Sequence, residues 1–154
     1  MGTEIERKFL VTSDAWRSEA GPGTRFRQGY LNAGTPVVRI RQAGSLAFLT
    51  IKGPGLLARA EYEYPIPVDD AAAMLASLCP PPIIDKTRYS VIHDGLCWEV
   101  DEFAGHLAGL VLAEIELARP DQPYMRPAWL GPEVTDDLRY QNSALSRAPG
   151  PPSA

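Results

Sequence analysis

Charged residues recur along this chain in pairs whose two members are separated by one residue. The pairs are Glu4 with Glu6, Arg39 with Arg41, Glu61 with Glu63, Lys86 with Arg88, Glu99 with Asp101, and Glu114 with Glu116. Residues i and i+2 of a β-strand lie on the same face, so each pair would place a single sign of charge on one strand face. Like charges at neighbouring positions repel, and a solvated strand face usually mixes the signs. We therefore expect these faces to converge on one polar interior.

The two signs of charge together indicate the chemistry of such an interior. Carboxylate oxygens suit a hard divalent cation such as Mg²⁺ or Mn²⁺. Clustered arginines and lysines suit phosphate oxygens, which arginine can bind bidentately. A metal-bound polyphosphate satisfies both groups at once. The alternative is that the acidic and basic strands only pair with one another and are structural.

These pairs must be positioned by strands, and the pattern predicts eight of them. They span residues 3–11, 24–32, 37–42, 48–52, 58–67, 84–93, 96–103 and 111–118. Short turns such as Asp94-Gly95 join most of them, which favours antiparallel pairing. Eight strands can close on themselves and remove their exposed edges. We predict a mainly β fold, a closed eight-stranded antiparallel β-barrel with a polar lumen and flanking helices.

Three helices are predicted around the strands. A short one covers residues 15–20, a second covers residues 69–78 and stops before Pro80-Pro81-Pro82, and a last one runs from Thr135 as N-cap to about Ser146. These helices do not obviously cover all outward apolar side chains, so a homodimer is a possible assembly. The outward set comprises Ile5, Phe9, Ile40, Ile51, Tyr62, Tyr64, Trp98 and Leu117.

Length and composition limit the classes of protein. A chain of 154 residues fits one domain, expected over residues 1–147 and followed by a disordered tail over 148–154. The net charge of −4 gives no sign of a nucleic-acid binder, and no apolar run approaches a membrane span. Cys79 and Cys97 have neither a metal-binding nor a C-x-x-C spacing, which favours free thiols. A cytoplasmic protein with no apolar signal region is the expectation.

The ordered pairs resemble the CYTH superfamily, the triphosphate tunnel metalloenzymes. Glu4-x-Glu6-x-Lys8 matches the signature of that family, and the later pairs follow in the family's order to Glu114-x-Glu116. The resemblance covers residues 3–146 and is closest to short bacterial members that act as inorganic tripolyphosphatases. It implies a closed eight-stranded tunnel.

The resemblance also implies roles for individual residues. The triphosphate would be bound by Lys8, Arg39, Arg41, Lys52, Lys86 and Arg88. The metal would be held by Glu4, Glu6, Glu114 and Glu116, with Glu63 and Asp101 as helpers. Glu61 and Glu99 face the same lumen but rank lower as ligands. Arg59, at a strand end, is expected to be a surface cation.

The second strand and the C-terminal segment add two further candidates, Tyr30 and Arg139. Gln28-Gly29-Tyr30-Leu31 resembles the bacterial strand that supplies a tyrosine to a tyrosine–lysine pair implicated in activating water, here Tyr30 and Lys52. Lys52 could instead be one more phosphate ligand, and Tyr30 a packed aromatic. Neighbouring cations lower the pKa of a lysine and carboxylates raise it, so the sequence leaves the direction for Lys52 open. In the bacterial members a terminal helix closes one end of the tunnel, and Arg139 in the matching segment could reach the substrate.

The leading function is metal-dependent hydrolysis of inorganic tripolyphosphate or a related triphosphate, a small-molecule substrate. The alternatives are a class IV-type adenylyl cyclase that converts ATP to cyclic AMP, a thiamine triphosphatase, and a non-catalytic polyphosphate-binding module. Neither a nucleic-acid nor a membrane partner is expected.

Overall fold

The computed structural model describes residues 2–153 and contains nine strands in that range. They are β1 (Gly2–Val11), β2 (Thr24–Asn32), β3 (Val37–Ala43), β4 (Leu46–Lys52), β5 (Ala58–Pro65), β6 (Ile84–His93), β7 (Leu96–Phe103), β8 (Val111–Glu116) and β9 (Leu130–Glu133). Met1 begins the predicted domain and Ala154 ends the predicted tail, and both lie outside the described residues.

Strands β1 to β8 close into an antiparallel barrel, as predicted. The strand order is β5-β4-β3-β2-β6-β7-β8-β1, and β5 returns to pair with β1. The closing register sets Glu4 opposite Arg59, and β8 sets Glu114 opposite Lys8. Like charges therefore follow each other along a strand, whereas several opposite charges face each other across strands. This cross-strand register brings the charged faces into one interior.

Strand β9 was not predicted. It pairs antiparallel with the second half of β1, where Phe9 lies opposite Glu133. Its short sequence contains Gly131 and Pro132, which are disfavoured in the middle of a sheet but tolerated in a short strand at an edge. The pairing depends on the already formed β1, which local sequence does not reveal.

Two of the predicted helices are confirmed and one prediction is wrong. Residues 15–20 contain a 3₁₀ helix, Ala15–Glu19, and residues 69–78 contain α1, Val68–Ser77. The stretch 135–146 contains only a 3₁₀ helix, Leu138–Tyr140, and the four-residue α2, Asn142–Leu145. The hydroxyl of Thr135 accepts a hydrogen bond from the backbone N–H of Lys8 at 3.0 Å, so it anchors the segment to β1 and caps no helix. A further 3₁₀ helix spans Gly105–Leu107, and residues 148–153 contain neither helix nor strand.

Two apolar clusters pack against the outside of the barrel. One cluster includes Phe9, Trp98 and Leu117, beneath Trp16 and Trp129 of the covering segments. A second includes Ile40 and lies under α1. The tyrosines of β5 remain outside this cover, with Tyr62 42% and Tyr64 53% exposed. No helix within residues 2–153 combines the length and the apolar character that crossing a bilayer requires.

A third apolar cluster fills one end of the barrel interior. Ile84, Phe103 and Leu112 share strand faces with Lys86, Asp101 and Glu114, respectively, and Leu145 of α2 packs with the three apolar residues. The interior is therefore apolar at this end and ionic beyond it. Charged side chains line a polar cavity in the remaining interior.

Candidate functional site

The polar part of the barrel encloses a cavity of about 290 Å³, here called the lumen. Both signs of charge line it. The cations are Lys8, Arg39, Arg41, Lys52, Arg59 and Arg88, and the carboxylates are Glu4, Glu6, Glu61, Glu63, Glu99, Glu114 and Glu116. Phe26, Tyr30, Val37, Gln141, Asn142 and Ser143 complete the lining. Most of the charged residues that the sequence singles out therefore meet in one place.

Lys52 and Glu4 form a buried ion pair at one side of the lumen. The Nζ atom of Lys52 lies 3.1 Å from both carboxylate oxygens of Glu4 and 3.4 Å from Oε2 of Glu61. Burial, together with the nearby Arg39, lowers the pKa of Lys52 although Glu4 and Glu6 raise it. Burial raises the pKa of Glu4, but Lys52 and Arg59 outweigh that effect and lower it. The sequence leaves the direction of the pKa shift of Lys52 open, and the structure lowers this pKa.

Arg88 organises the opposite side. Its guanidinium binds Asp101 bidentately at 2.7 and 2.9 Å and also donates to Glu114 at 2.9 Å. Lys8 reaches Oε2 of Glu114 at 3.5 Å. Burial of Glu114 would raise its pKa, yet Lys8 and Arg88 lower it well below the ordinary value. Glu114 is therefore held ionised within the lumen wall.

Lys86 and Asp101 lie behind the lumen and do not line it. Their side chains are 0% and 2% exposed and form a 2.7 Å ion pair. Nζ of Lys86 also lies near the rings of Phe26 and Phe103. Although burial alone would raise the pKa of Asp101, Arg88 and Lys86 lower it to about 2. The structure therefore places these two predicted ligands where they support Arg88, away from direct ligand contact.

Glu6 and Glu116 are the lumen carboxylates that best fit a metal ion. They lie opposite each other on β1 and β8, and no described lysine, arginine or histidine is within ion-pair distance of either. Burial raises the pKa of Glu6, and so do the neighbouring carboxylates Glu114 and Glu4. Burial also raises the pKa of Glu116, together with Glu4 and Glu99. A hard cation would relieve this repulsion, and oxygen is the ligand type that such a cation prefers.

Glu6 and Glu116 share the lumen with Glu4 and Glu114, and carboxylate oxygens are the ligands that a hard cation prefers. The oxygen atoms of these four residues do not converge on one point. Within residues 2–153, no three carboxylate, histidine or cysteine side chains adopt an arrangement that could hold a metal. Glu4 and Glu114 turn towards Lys52 and Arg88 instead. These two carboxylates would have to rotate to join Glu6 and Glu116 around one ion.

Tyr30 contacts Gln28 and makes no hydrogen bond to Lys52 in the described part of the chain. The amide nitrogen of Gln28 donates to the Tyr30 hydroxyl at 3.2 Å, and the amide oxygen accepts from Nε of Arg41 at 2.8 Å. Arg41 also lies over the ring of Phe26, 4.7 Å from its centroid. Tyr30 and Lys52 share the lumen as expected, but a network through Gln28 orients the tyrosine.

Arg139 lies outside the lumen and, like Lys86, does not line it. Its side chain is half exposed and donates hydrogen bonds from two nitrogen atoms to the carboxylate of Asp137. It also donates to the backbone carbonyl of Ser153 at 2.8 Å. The nearby residues Gln141 to Ser143 enter the lumen instead. The position of Arg139 follows from the 3₁₀ turn at 138–140, whose N-cap, Asp137, captures its guanidinium.

The sequence did not predict that Arg59 lines the lumen or that Gln28 binds two lumen residues. Arg59 lies opposite Glu4 in the register that closes the barrel, and its Nε is 3.4 Å from that carboxylate. Its alternation with Glu61 and Glu63 was the available signal. Gln28 alternates with Tyr30 in the same way, but an uncharged amide carries no sign that would mark it.

Comparisons with known proteins agree with this geometry. A family model described as the CYTH domain matches residues 2–148. The inorganic triphosphatase of Acetivibrio thermocellus is 46% identical over 151 residues, covering 97% of this chain and 96% of that protein. The inorganic triphosphatase of Nitrosomonas europaea is 45% identical over 150 residues, which cover 94% of this chain and 97% of that protein. A crystal structure of an inorganic triphosphatase superposes with a TM-score of 0.68 at 39% identity, and the match covers 96% of this chain and 97% of that one.

Proposed function

The chain belongs to the CYTH domain family, and from this premise we propose that it is an inorganic triphosphatase. It hydrolyses inorganic tripolyphosphate, or a related triphosphate, by releasing the terminal phosphoryl group as orthophosphate. The single observation that supports this most is the lumen of about 290 Å³, whose lining joins six cations to seven carboxylates. A polyphosphate and a divalent cation together neutralise such a lining.

Binding of the triphosphate is assigned to the cations that line the lumen. Lys8, Arg39, Arg41, Lys52, Arg59 and Arg88 surround the cavity from five strands. Arginine side chains can bind phosphate oxygens bidentately and so fix the chain of phosphates in one orientation. Lys86 supports this set indirectly, because its ion pair with Asp101 stabilises the carboxylate that holds Arg88.

The metal is assigned to Glu6 and Glu116, joined by Glu4 and Glu114, with Glu63 as a helper. We propose Mg²⁺ or Mn²⁺, which prefer oxygen ligands. When bound, the ion supplies neutralisation of the charge on the phosphoryl oxygens. Glu63 is half exposed in the lumen and already pairs with Arg39 at 3.4 Å, so it serves the metal less directly.

Lys52 is the proposed acceptor of a proton from the attacking water, with Tyr30 as its partner. Water adds to the terminal phosphorus, its proton passes to Nζ of Lys52, and the bond to the bridging oxygen breaks to leave pyrophosphate. Burial and Arg39 lower the pKa of Lys52, which increases the share of neutral amine at a given pH. The remaining cations provide positioning and electrostatic stabilisation.

The lumen favours an inorganic substrate over a nucleotide. The ring of Phe26 is approached by Arg41 at 4.7 Å and by Arg88 at 4.9 Å, so it offers little free face to a base. We place the reaction in the cytoplasm, where a reducing environment suits the free cysteines Cys79 and Cys97.

Product analysis tests the proposal directly. Purified protein is incubated with Mg²⁺ or Mn²⁺ and with tripolyphosphate, thiamine triphosphate or ATP in separate reactions. We expect equal amounts of orthophosphate and pyrophosphate from tripolyphosphate, at the highest rate of the three. Cyclic AMP as the main product from ATP would overturn the proposal in favour of a cyclase. Metal-dependent binding of tripolyphosphate without any product would indicate a binding module.

A further inference from the structure

Gln28 connects two lumen residues although it does not line the lumen itself. It lies on β2, is 0% exposed, and uses both ends of its side-chain amide. Its oxygen accepts from Nε of Arg41 at 2.8 Å, and its nitrogen donates to the hydroxyl of Tyr30 at 3.2 Å. A buried amide with both ends satisfied is a fixed element of the site.

The chemistry of Arg41 determines which way this amide points. The Nε–H group of arginine can only donate, so the oxygen of Gln28 must face Arg41 and its NH₂ group must face Tyr30. The hydroxyl of Tyr30 is therefore an acceptor in this contact. Its own hydrogen is not used there and can be donated into the lumen, which Tyr30 lines.

The neutral charge of Gln28 matters for Arg41. Among the lumen cations in the described chain, Arg41 alone has no carboxylate within ion-pair distance. The partners of the others are Glu114 for Lys8, Glu63 for Arg39, Glu4 for Lys52 and Arg59, and Asp101 for Arg88. Burial and the nearby Arg39 and Arg88 lower the pKa of Arg41 to about 9, which still leaves it charged at neutral pH. An amide can orient this guanidinium without neutralising it.

We propose that Gln28 is a positioning residue that presents the hydroxyl hydrogen of Tyr30 and the uncompensated charge of Arg41 to the polyphosphate in the lumen. The inference rests on the proposed function, since it specifies how two ligands of that site are held. A carboxylate at this position would pair with Arg41 and would also accept the hydrogen of Tyr30. Gln28→Glu should therefore withdraw both groups from the ligand while changing the side-chain volume very little.

Binding without turnover tests the part that concerns Arg41. The dissociation constant for tripolyphosphate is measured by calorimetry in metal-free buffer for the wild type and Gln28→Glu. We expect binding to weaken by about tenfold, as for the loss of one hydrogen bond to a charged group. The matched control is Gln42→Glu, which adds the same charge next to Arg41 on the opposite face of β3 and should change binding by less than about threefold. Wild-type affinity in Gln28→Glu would overturn the proposal.

A double-mutant cycle tests the part that concerns Tyr30. Gln28→Met removes both hydrogen bonds but adds no charge, and we expect kcat to fall about tenfold, with a smaller effect in a Tyr30→Phe background. Equal losses in the two backgrounds would show that Gln28 does not act through Tyr30 and would contradict the proposal. A wild type that binds but does not hydrolyse tripolyphosphate would overturn the proposed function alone, because the binding comparison remains decisive for Gln28. Circular dichroism and thermal unfolding confirm that each variant is folded.

Discussion

At the scale of residues, most of the buried charges in the barrel are stabilised by a nearby opposite charge. Asp101 is the clearest case, since Lys86 and Arg88 both contact its carboxylate at 2.7 Å. Removing one member of a buried ion pair leaves the other charged and without a partner, which is usually more costly than losing an exposed pair. The ion pairs behind the lumen therefore determine stability as well as the orientation of Arg88.

Asp101→Asn should lower the free energy of unfolding by about 3 kcal/mol at neutral pH, because it leaves Lys86 and Arg88 partly uncompensated. Arg88 and Lys86 lower the pKa of the wild-type carboxyl from its ordinary 3.8 to about 2. A lowered pKa contributes stability that is present above pH 4 and is lost as the pH falls towards 2. The variant should therefore lose less stability than the wild type in that range. Urea denaturation from pH 7 to pH 2 measures both effects.

Asp121→Asn provides the matched control for this experiment. Asp121 also pairs with an arginine, Arg119 at 2.8 Å, but its side chain is 82% exposed. We expect a change of less than about 0.5 kcal/mol in the free energy of unfolding at neutral pH. Equal effects of the two substitutions would contradict the importance of burial.

At the scale of elements, the C-terminal segment closes the apolar end of the barrel with very little regular structure. Its last helix, α2, has only four residues, yet Leu145 in that helix is 0% exposed and packs among Ile84, Phe103 and Leu112. The same segment places Gln141 to Ser143 in the lumen. Packing of Leu145 therefore fixes part of the lumen wall.

Leu145→Ala should destabilise the protein by about 3 kcal/mol, the usual cost of a large-to-small change in a core. Leu138→Ala is the control, because Leu138 lies on the same segment but is 62% exposed, and we expect a loss below about 0.5 kcal/mol. Chemical denaturation of both variants gives the comparison. A loss below 1 kcal/mol for Leu145→Ala would show that the segment does not depend on this contact.

The strands of the barrel could be predicted from the sequence, and the C-terminal segment could not. Alternation of side-chain character marks most of β1 to β8 locally, so all eight strands were predicted, with ends that differ from the observed ones by at most two residues. The segment after Pro132 depends on contacts with distant residues, such as the hydrogen bond from the Lys8 backbone to Thr135. Alternation likewise indicated most of the charged residues that line the lumen, whereas the contacts of Gln28 and the positions of Lys86 and Asp101 behind the lumen required the packed structure.

At the scale of the whole molecule, the barrel separates its apolar material from its ionic lumen. Two apolar clusters cover its outside and a third fills one end, so the charged faces share the remaining interior. Opposite charges compensate most of this lining, but Glu6 and Glu116 remain without a cationic partner among residues 2–153. We infer that this lumen binds a divalent cation and a polyphosphate together.

The most direct test is the rate of orthophosphate release from tripolyphosphate, measured against Mg²⁺ or Mn²⁺ concentration, for the wild type and the double variant Glu6→Gln, Glu116→Gln. We predict that the rate falls about 100-fold or more, because a metal contributes several kcal/mol to such reactions. Thermal stability should not fall, because burial and neighbouring carboxylates raise the pKa of both groups and so disfavour their ionised forms. The control variant Glu19→Gln, Glu102→Gln, at two carboxylates outside the lumen, should keep the wild-type rate. A Glu6→Gln, Glu116→Gln protein with the wild-type rate at every metal concentration would contradict the claim.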